Sequence, residues 1–317
     1  MGLFVFLPLV LPLTAWPVAR LAEHHLHPRT ATRLLTGAAA VLAVCSTLCL
    51  ALLLIVGTAQ LPGNPLPDAW SDPEVRAAVP YDEIAGPLAI PALGAVAAAC
   101  GRVLLRHRRT LRRAARALAG LPDAPVAVLP DPEPYAYALP AGTRRGRGRV
   151  VVSRGMLDRL RPAERRALFA HERAHLAGGH GRLLLVVRLA AAANPFLRPL
   201  RTAVAYTTER WADEEAADRI GSRRTVARAV GRAALLSGTV PASLPAFAAA
   251  GPVPRRVAAL LAPPPPAPRA WPPVFTAVGL ALWSAVAGVA ASTLASANSA
   301  LTLYTVLKAA TLLQDNL

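Results

Sequence analysis

Residues 161–179 read RPAERRALFAHERAHLAGG, and the surrounding fold is read outward from this stretch. Pro162 suits the first turn of a helix, where a missing N–H costs nothing, and Glu164 suits the positive end of the helix dipole. The helix continues through Ala167, Leu168, His171, His175 and Leu176, and Gly178-Gly179 stops it. His171 and His175 stand at i and i+4, so both imidazoles share a face and can reach one ion. Glu172 follows the first histidine, where its carboxylate can address a water at that ion without ligating the ion. Imidazole nitrogens with an open position for water suit zinc, one ion per chain. The bland alternative is a helix with a solvated polar face.

A third ligand is sought downstream. Thr208-Glu209-Arg210-Trp211-Ala212-Asp213 lies on an expected helix, Thr202 to Ile220. Glu209 and Asp213 share a face at i and i+4. Glu209 is therefore the candidate ligand, and Asp213 the candidate partner of a histidine N–H, fixing its tautomer. Glu214, Glu215 and Asp218 keep open an ordinary acidic helix surface. His180 falls one residue short of the third-histidine position of a His-Glu-x-x-His-x-x-Gly-x-x-His pattern, which here is Gly181, and is not assigned as a ligand. Tyr206 and Arg210 are candidate donors to an oxyanion.

Upstream, Val126–Leu129 and Tyr135–Leu139 read as short strands in a proline-rich stretch. Arg149–Ser153 is a β-branched strand that Gly155 ends. Leu183 to Ala193 is apolar except for Arg188 and too short to span a bilayer; a buried or interfacial helix and a re-entrant segment both stay open. Thr225 to Leu236 is a further helix with an Ala-rich face. The expected fold class is α+β: a multi-pass helical membrane protein carrying a mainly helical zinc domain with a small sheet. Its expected divisions are 1–120 with three transmembrane helices, 121–261 as the zinc domain, 262–273 as a Pro-rich linker, and 274–317 with one or two C-terminal spans.

The membrane reading rests on four charge-poor runs: Gly2 to Val18, Leu34 to Val56, Ile84 to Leu105 and Trp271 to Ala291. Asn298 to Leu313 is weaker because Lys308 interrupts it. Arg20 follows the first run and no basic residue precedes it, which favours an uncleaved span over a signal peptide. The loop 57–83 holds five acidic residues and one Arg, whereas 102–116 holds seven Arg and no acid. The positive-inside rule then puts 102–269 in the cytoplasm. An apolar share of 54% and a mean hydropathy of +0.39 agree with a membrane protein. The net charge of +17 is carried by 34 Arg and one Lys. Its concentration beside spans, without aromatic residues for base stacking, points to a lipid surface and not to direct nucleic-acid binding. Cys45, Cys49 and Cys100 lie in apolar runs and read as buried thiols.

Taken together, the Tyr135–Pro140 run, the Val150–Leu157 run, the zinc helix, Asn194-Pro195 and Glu209-x-x-Ala212-Asp213 resemble a BlaR/MecR-type membrane metallopeptidase, over about residues 121–221. HtpX-type peptidases are similar in the Leu-Pro loop, the Val-rich strand and the Glu-x-x-Ala-Asp helix. The resemblance implies a gluzincin-like zinc domain facing the cytoplasm, with His171, His175 and Glu209 as ligands and Glu172 as catalytic base. It further implies a protein substrate, in BlaR/MecR-type proteins a cytoplasmic repressor of the BlaI type. Those sensors carry a Ser-x-x-Lys nucleophile. Here Thr305 stands three residues before the only lysine, Lys308, so the resemblance supports the peptidase and not antibiotic sensing. Two other readings remain beside it: HtpX-like quality control of membrane proteins, and a non-catalytic membrane sensor or scaffold. The intact Glu172 argues against the scaffold.

Overall fold

A computed structural model describes residues 6–58, 82–140, 148–236 and 252–265, with 287, 288 and 305. The C-terminal span candidates otherwise lie outside the described residues. The chain enters through α1 (Leu7–Val10), a 3-10 turn (Leu11–Thr14) and α2 (Ala15–His25). The described part of the expected Gly2–Val18 span is thus wound as two short pieces and the start of a third. Pro8 and Pro12 each occupy the first turn of a piece, because a proline there removes no internal hydrogen bond.

Two long helices follow, α3 (Pro28–Thr58) and α4 (Asp82–Ala117). Among the described residues these two are long and apolar enough to cross a membrane, over Pro28–Leu54 and Ile84–Ala117. The 27 residues of the first stretch extend roughly 40 Å at about 1.5 Å each, more than the ~30 Å hydrocarbon layer. The hydroxyls of Thr36, Ser46 and Thr47 donate to carbonyls one turn back in α3, so none needs water. Along α4, Ile84, Leu88 and Leu105 are exposed, as a lipid-facing helix requires.

A three-stranded sheet comes next, in the order β1 (Val126–Leu129), β3 (Arg149–Ser153), β2 (Ala136–Leu139). β1 runs parallel and β2 antiparallel to the central strand. Ser153 closes β3 and opens α5 (Arg154–Arg159): its Oγ accepts from the Tyr135 and Met156 N–H groups. The cap explains why Gly155, expected merely to end the strand, lies inside a helix. A Cβ on Gly155 would stand 1.9 Å from the Pro132 oxygen, so only glycine lets the two segments meet.

The helical remainder is α6 (Pro162–Ala177), α7 (His180–Ala193), α8 (Arg198–Ile220), α9 (Arg223–Leu236) and α10 (Val253–Leu261). Glu164 accepts from the Arg161 N–H at the start of α6. Gly179, at φ +62°, turns the chain between α6 and α7, which meet at a 60° bend. We read this bent pair as part of the folded domain, because its inner face carries His171, Glu172 and His175. Two of the apolar cores join the helices to one another. In one, Leu35 and Leu42 of α3 pack with Leu184 and Val187 of α7 and with Leu200 and Val204 of α8, so this core crosses the division expected near residue 120. In the other, Ala167, Ala170, Ala216, Ala217 and Ala227 let α6, α8 and α9 approach closely, with Leu260 of α10 sealing the end. Asn194 donates to Ser46 Oγ at 3.3 Å and fastens the α7–α8 corner to α3.

Candidate metal centre

α6 and α8 cross so that the i and i+4 faces of both helices point at each other. His171 Nε2 and His175 Nε2 lie 3.1 Å apart. Each lies 3.5 Å from one oxygen of Glu209, His171 from Oε2 and His175 from Oε1. Ligand positions around a tetrahedral zinc, at about 2.0–2.1 Å from the ion, are separated by about 3.3 Å. These separations are close to that spacing, and among the described residues the three are the group that could hold a metal.

Asp213, one turn beyond Glu209 and fully buried, places Oδ1 3.1 Å from His171 Nδ1. His171 Nδ1 thereby lies beside a carboxylate and Nε2 is left to face Glu209. On the other imidazole, His175 Nδ1 lies 2.9 Å from His180 Nδ1.

Arg256, on α10, was missed by the sequence reading. Its Nη1 lies 2.9 Å from Glu209 Oε2, and its Nε and Nη2 donate to the two Asp213 oxygens at 2.9 and 2.7 Å. The guanidinium is 5% exposed, so its charge acts with little screening. The spacing of Val253, Val257 and Leu260 was the available signal for its helix. Two acids on one helix face, Glu209 and Asp213, were the signal for a nearby cation.

The electrostatics follow from burial and these partners. For Glu209, burial would raise the carboxyl's pKa, but Arg256 and the two histidines outweigh it and hold it near about 2. Burial works the same way on Asp213, and Arg256 again wins, keeping it well below the usual range. Burial lowers His175 to about 4, with Glu209 opposing. For His171 burial also works downward, yet Asp213 and Glu209 overcome it and raise it to about 10. Burial raises Glu172 to about 7, against the pull of His171. The backbone of Ala138 in β2 also opposes the rise.

His171, Glu172, His175, Glu209 and Arg256 line a cavity of about 630 Å³ whose other walls include Ala136, Tyr137, Ala138 and Met156. Neither proposed oxyanion donor lines it. Arg210 is drawn to Glu214 at 2.6 Å on its own helix, and Tyr206 lies beneath Arg255, 4.2 Å from its guanidinium. Glu214 is not a surface acid either, since it is buried between Arg210 and Arg223.

The chain is similar over residues 105–188 to Peptidase family M48. The matched stretch takes in the sheet, His171, Glu172 and His175, and stops short of Glu209. No curated protein and no solved structure matches the chain.

Proposed function

We propose that this chain is a membrane-anchored, zinc-dependent endopeptidase that hydrolyses peptide bonds of a cytoplasmic protein. The observation that carries the reading is the convergence of His171, His175 and Glu209 with Glu172 beside them, buried and uncommitted to the cluster. A zinc ion held by those three residues would supply Lewis acidity and make a nearby water more acidic. Glu172, which burial raises toward neutral pH in the metal-free chain, would take the proton from such a water and deliver it to the leaving amine. Asp213 fixes the tautomer of His171, and Arg256 keeps Glu209 and Asp213 ionised.

The substrate would bind as an added strand on β2. Tyr135 O accepts from the Ser153 N–H, so the period-2 alternation directs Tyr137 at β3 and turns Ala136 and Ala138 away from it. The Ala138 N–H accordingly points away from β3, on the side of the cavity that Glu172 also lines. The remaining outward groups of Ala136 and Ala138 face the cavity side, where an extended peptide can pair with them.

The Arg-rich 102–116 segment at the end of α4 supports a cytoplasmic site in a multi-pass membrane protein. The likeness to BlaR/MecR-type proteins supports a BlaI-type repressor as substrate. That to HtpX-type peptidases supports misfolded membrane proteins instead. The test is cleavage of co-expressed cytoplasmic proteins by the zinc-loaded chain and by Glu172→Gln. Cleavage by the wild type alone is expected, and equal cleavage by both overturns the peptidase. A BlaI-type repressor cut only by the wild type selects the first substrate class.

A further inference from the structure

We propose that His180 is a positioning residue for His175, held in place by Trp211, which the basic end of membrane helix α3 clamps through Arg29 and Arg33. The inference rests on the metal site proposed above.

It begins with a tautomer. If His175 presents Nε2 to the cluster as a lone pair, its proton sits on Nδ1 and needs an acceptor. His171 has Asp213 for this purpose, whereas the group at His175 Nδ1 is the Nδ1 of another imidazole, 2.9 Å away. His180 must then accept at Nδ1 and carry its own proton on Nε2. The two rings stand perpendicular, with centroids 4.8 Å apart. His180 meets His175 on the side away from Glu209, so it orients a ligand and does not join the ligand set.

His180 is 1% exposed and packs against Trp211, ring centroids 4.4 Å apart. Gly178 leaves its ring room, since a Cβ there would stand 2.2 Å from His180 Nε2. Trp211 is gripped in turn. Arg29 and Arg33 place their guanidinium carbons 5.4 and 5.3 Å from its ring centroid, and its Nε1 donates to Glu215 at 3.0 Å. Between the two arginines, the Thr32 hydroxyl meets that of Thr207, one turn before Trp211, at 2.9 Å. A continuous run of contacts thus leads from α3, where it begins its span, through Trp211 and His180 to His175. A displacement of α3 along this path would be felt at the metal ligand.

The test is zinc affinity of the detergent-solubilised full chain, read by competition with a chromophoric chelator, for His180→Phe, His180→Asn and His180→Gln. Phe keeps a ring against Trp211 and removes the acceptor. Asn returns an oxygen near the position of Nδ1, and Gln does not. Loss of such a hydrogen-bond partner costs about 10- to 100-fold in metal affinity. His180→Phe and His180→Gln are expected to show that loss, with His180→Asn within about threefold of wild type, and the visible spectrum of the cobalt-loaded protein should change in the same order. Equal zinc affinity in His180→Phe and wild type overturns the inference. If His180→Phe does not fold, equal affinities of the Asn and Gln variants overturn it instead. Arg29→Gln/Arg33→Gln should weaken zinc binding about threefold, and an unchanged affinity removes the clamp. A wild type that binds no zinc overturns the metal site itself, which distinguishes that failure from a failure of His180 alone.

Discussion

Arg256 Nη1 stands 2.9 Å from Glu209 Oε2 while the same guanidinium holds both oxygens of Asp213. One cation from α10 thus supports the carboxylate that would ligate the metal and the carboxylate that orients a ligating histidine. Two acids on one turn of α8 would repel each other in a dry site, and Arg256 makes their joint ionisation affordable.

Arg256→Met should therefore unfold more readily than a surface substitution. Removing one partner of a buried ion pair costs about 3–5 kcal/mol, because the other charge stays buried without compensation. Zinc affinity should fall as well, since Glu209 and Asp213 would hold protons more tightly. Arg256→Lys should recover part of the stability and little of the two-pronged geometry. Urea unfolding and chelator competition check both; a variant as stable as wild type would contradict the arrangement.

The visibility of Arg256 and its neighbours from sequence differs residue by residue. Pro162, Glu164 and Gly178 mark the ends of α6 by local rules, and the β-branched run Val150–Val152 marks β3, so both were legible. Glu209 and Asp213 were legible as a pair because a helix repeats its faces. Arg256 was not: it lies in a nine-residue helix behind prolines, and its burial depends on the packing of α8, α9 and α10. His180 was weighed only as an off-register ligand. Its place beside His175 depends on the Gly179 turn, which sets α7 at a 60° bend from α6. The breaks within the expected Gly2–Val18 span were a matter of weighing apolar content above Pro8 and Pro12.

Glu172→Gln should retain zinc binding and lose about 10²- to 10⁴-fold in turnover, the usual worth of a general base. Metal-free protein offers a second readout. The Glu172 carboxyl moves from its ordinary 4.5 to about 7 on folding, chiefly by burial. The folded state then holds this proton more tightly than the unfolded state, so the associated stability is full below about 4.5 and is lost as pH rises through about 7. Glu172→Gln removes that loss. Its stability relative to wild type should increase between pH 5 and pH 8, by on the order of 3 kcal/mol. Parallel stability–pH curves for the two proteins would sink the claim.

Gly178→Ala tests the packing around the second histidine. The new Cβ would stand 2.2 Å from His180 Nε2 and 3.2 Å from the Ala174 oxygen, and the side chain gives way more easily than the backbone. His180 should swing from His175, and zinc affinity should drop although no ligand is altered. In a His180→Ala background the same change should add little further loss. Measuring the four proteins as a double-mutant cycle gives the coupling directly, and strict additivity would show that Gly178 acts elsewhere.

Zinc should also stabilise the chain by mass action. A ligand that binds only the folded state at a thousandfold excess over its Kd contributes about 4 kcal/mol. Melting of the detergent-solubilised protein should therefore shift upward with zinc and return with a chelator. Glu209→Gln keeps a hydrogen-bonding side chain against Arg256 but removes the charge opposite His171 and His175. It should abolish most of the zinc-dependent shift. Glu172→Gln, whose side chain lies beside the cluster without being part of it, should preserve the shift. If both variants lose it equally, Glu172 is a ligand and the separation of its role from that of Glu209 fails; if neither does, zinc binds elsewhere.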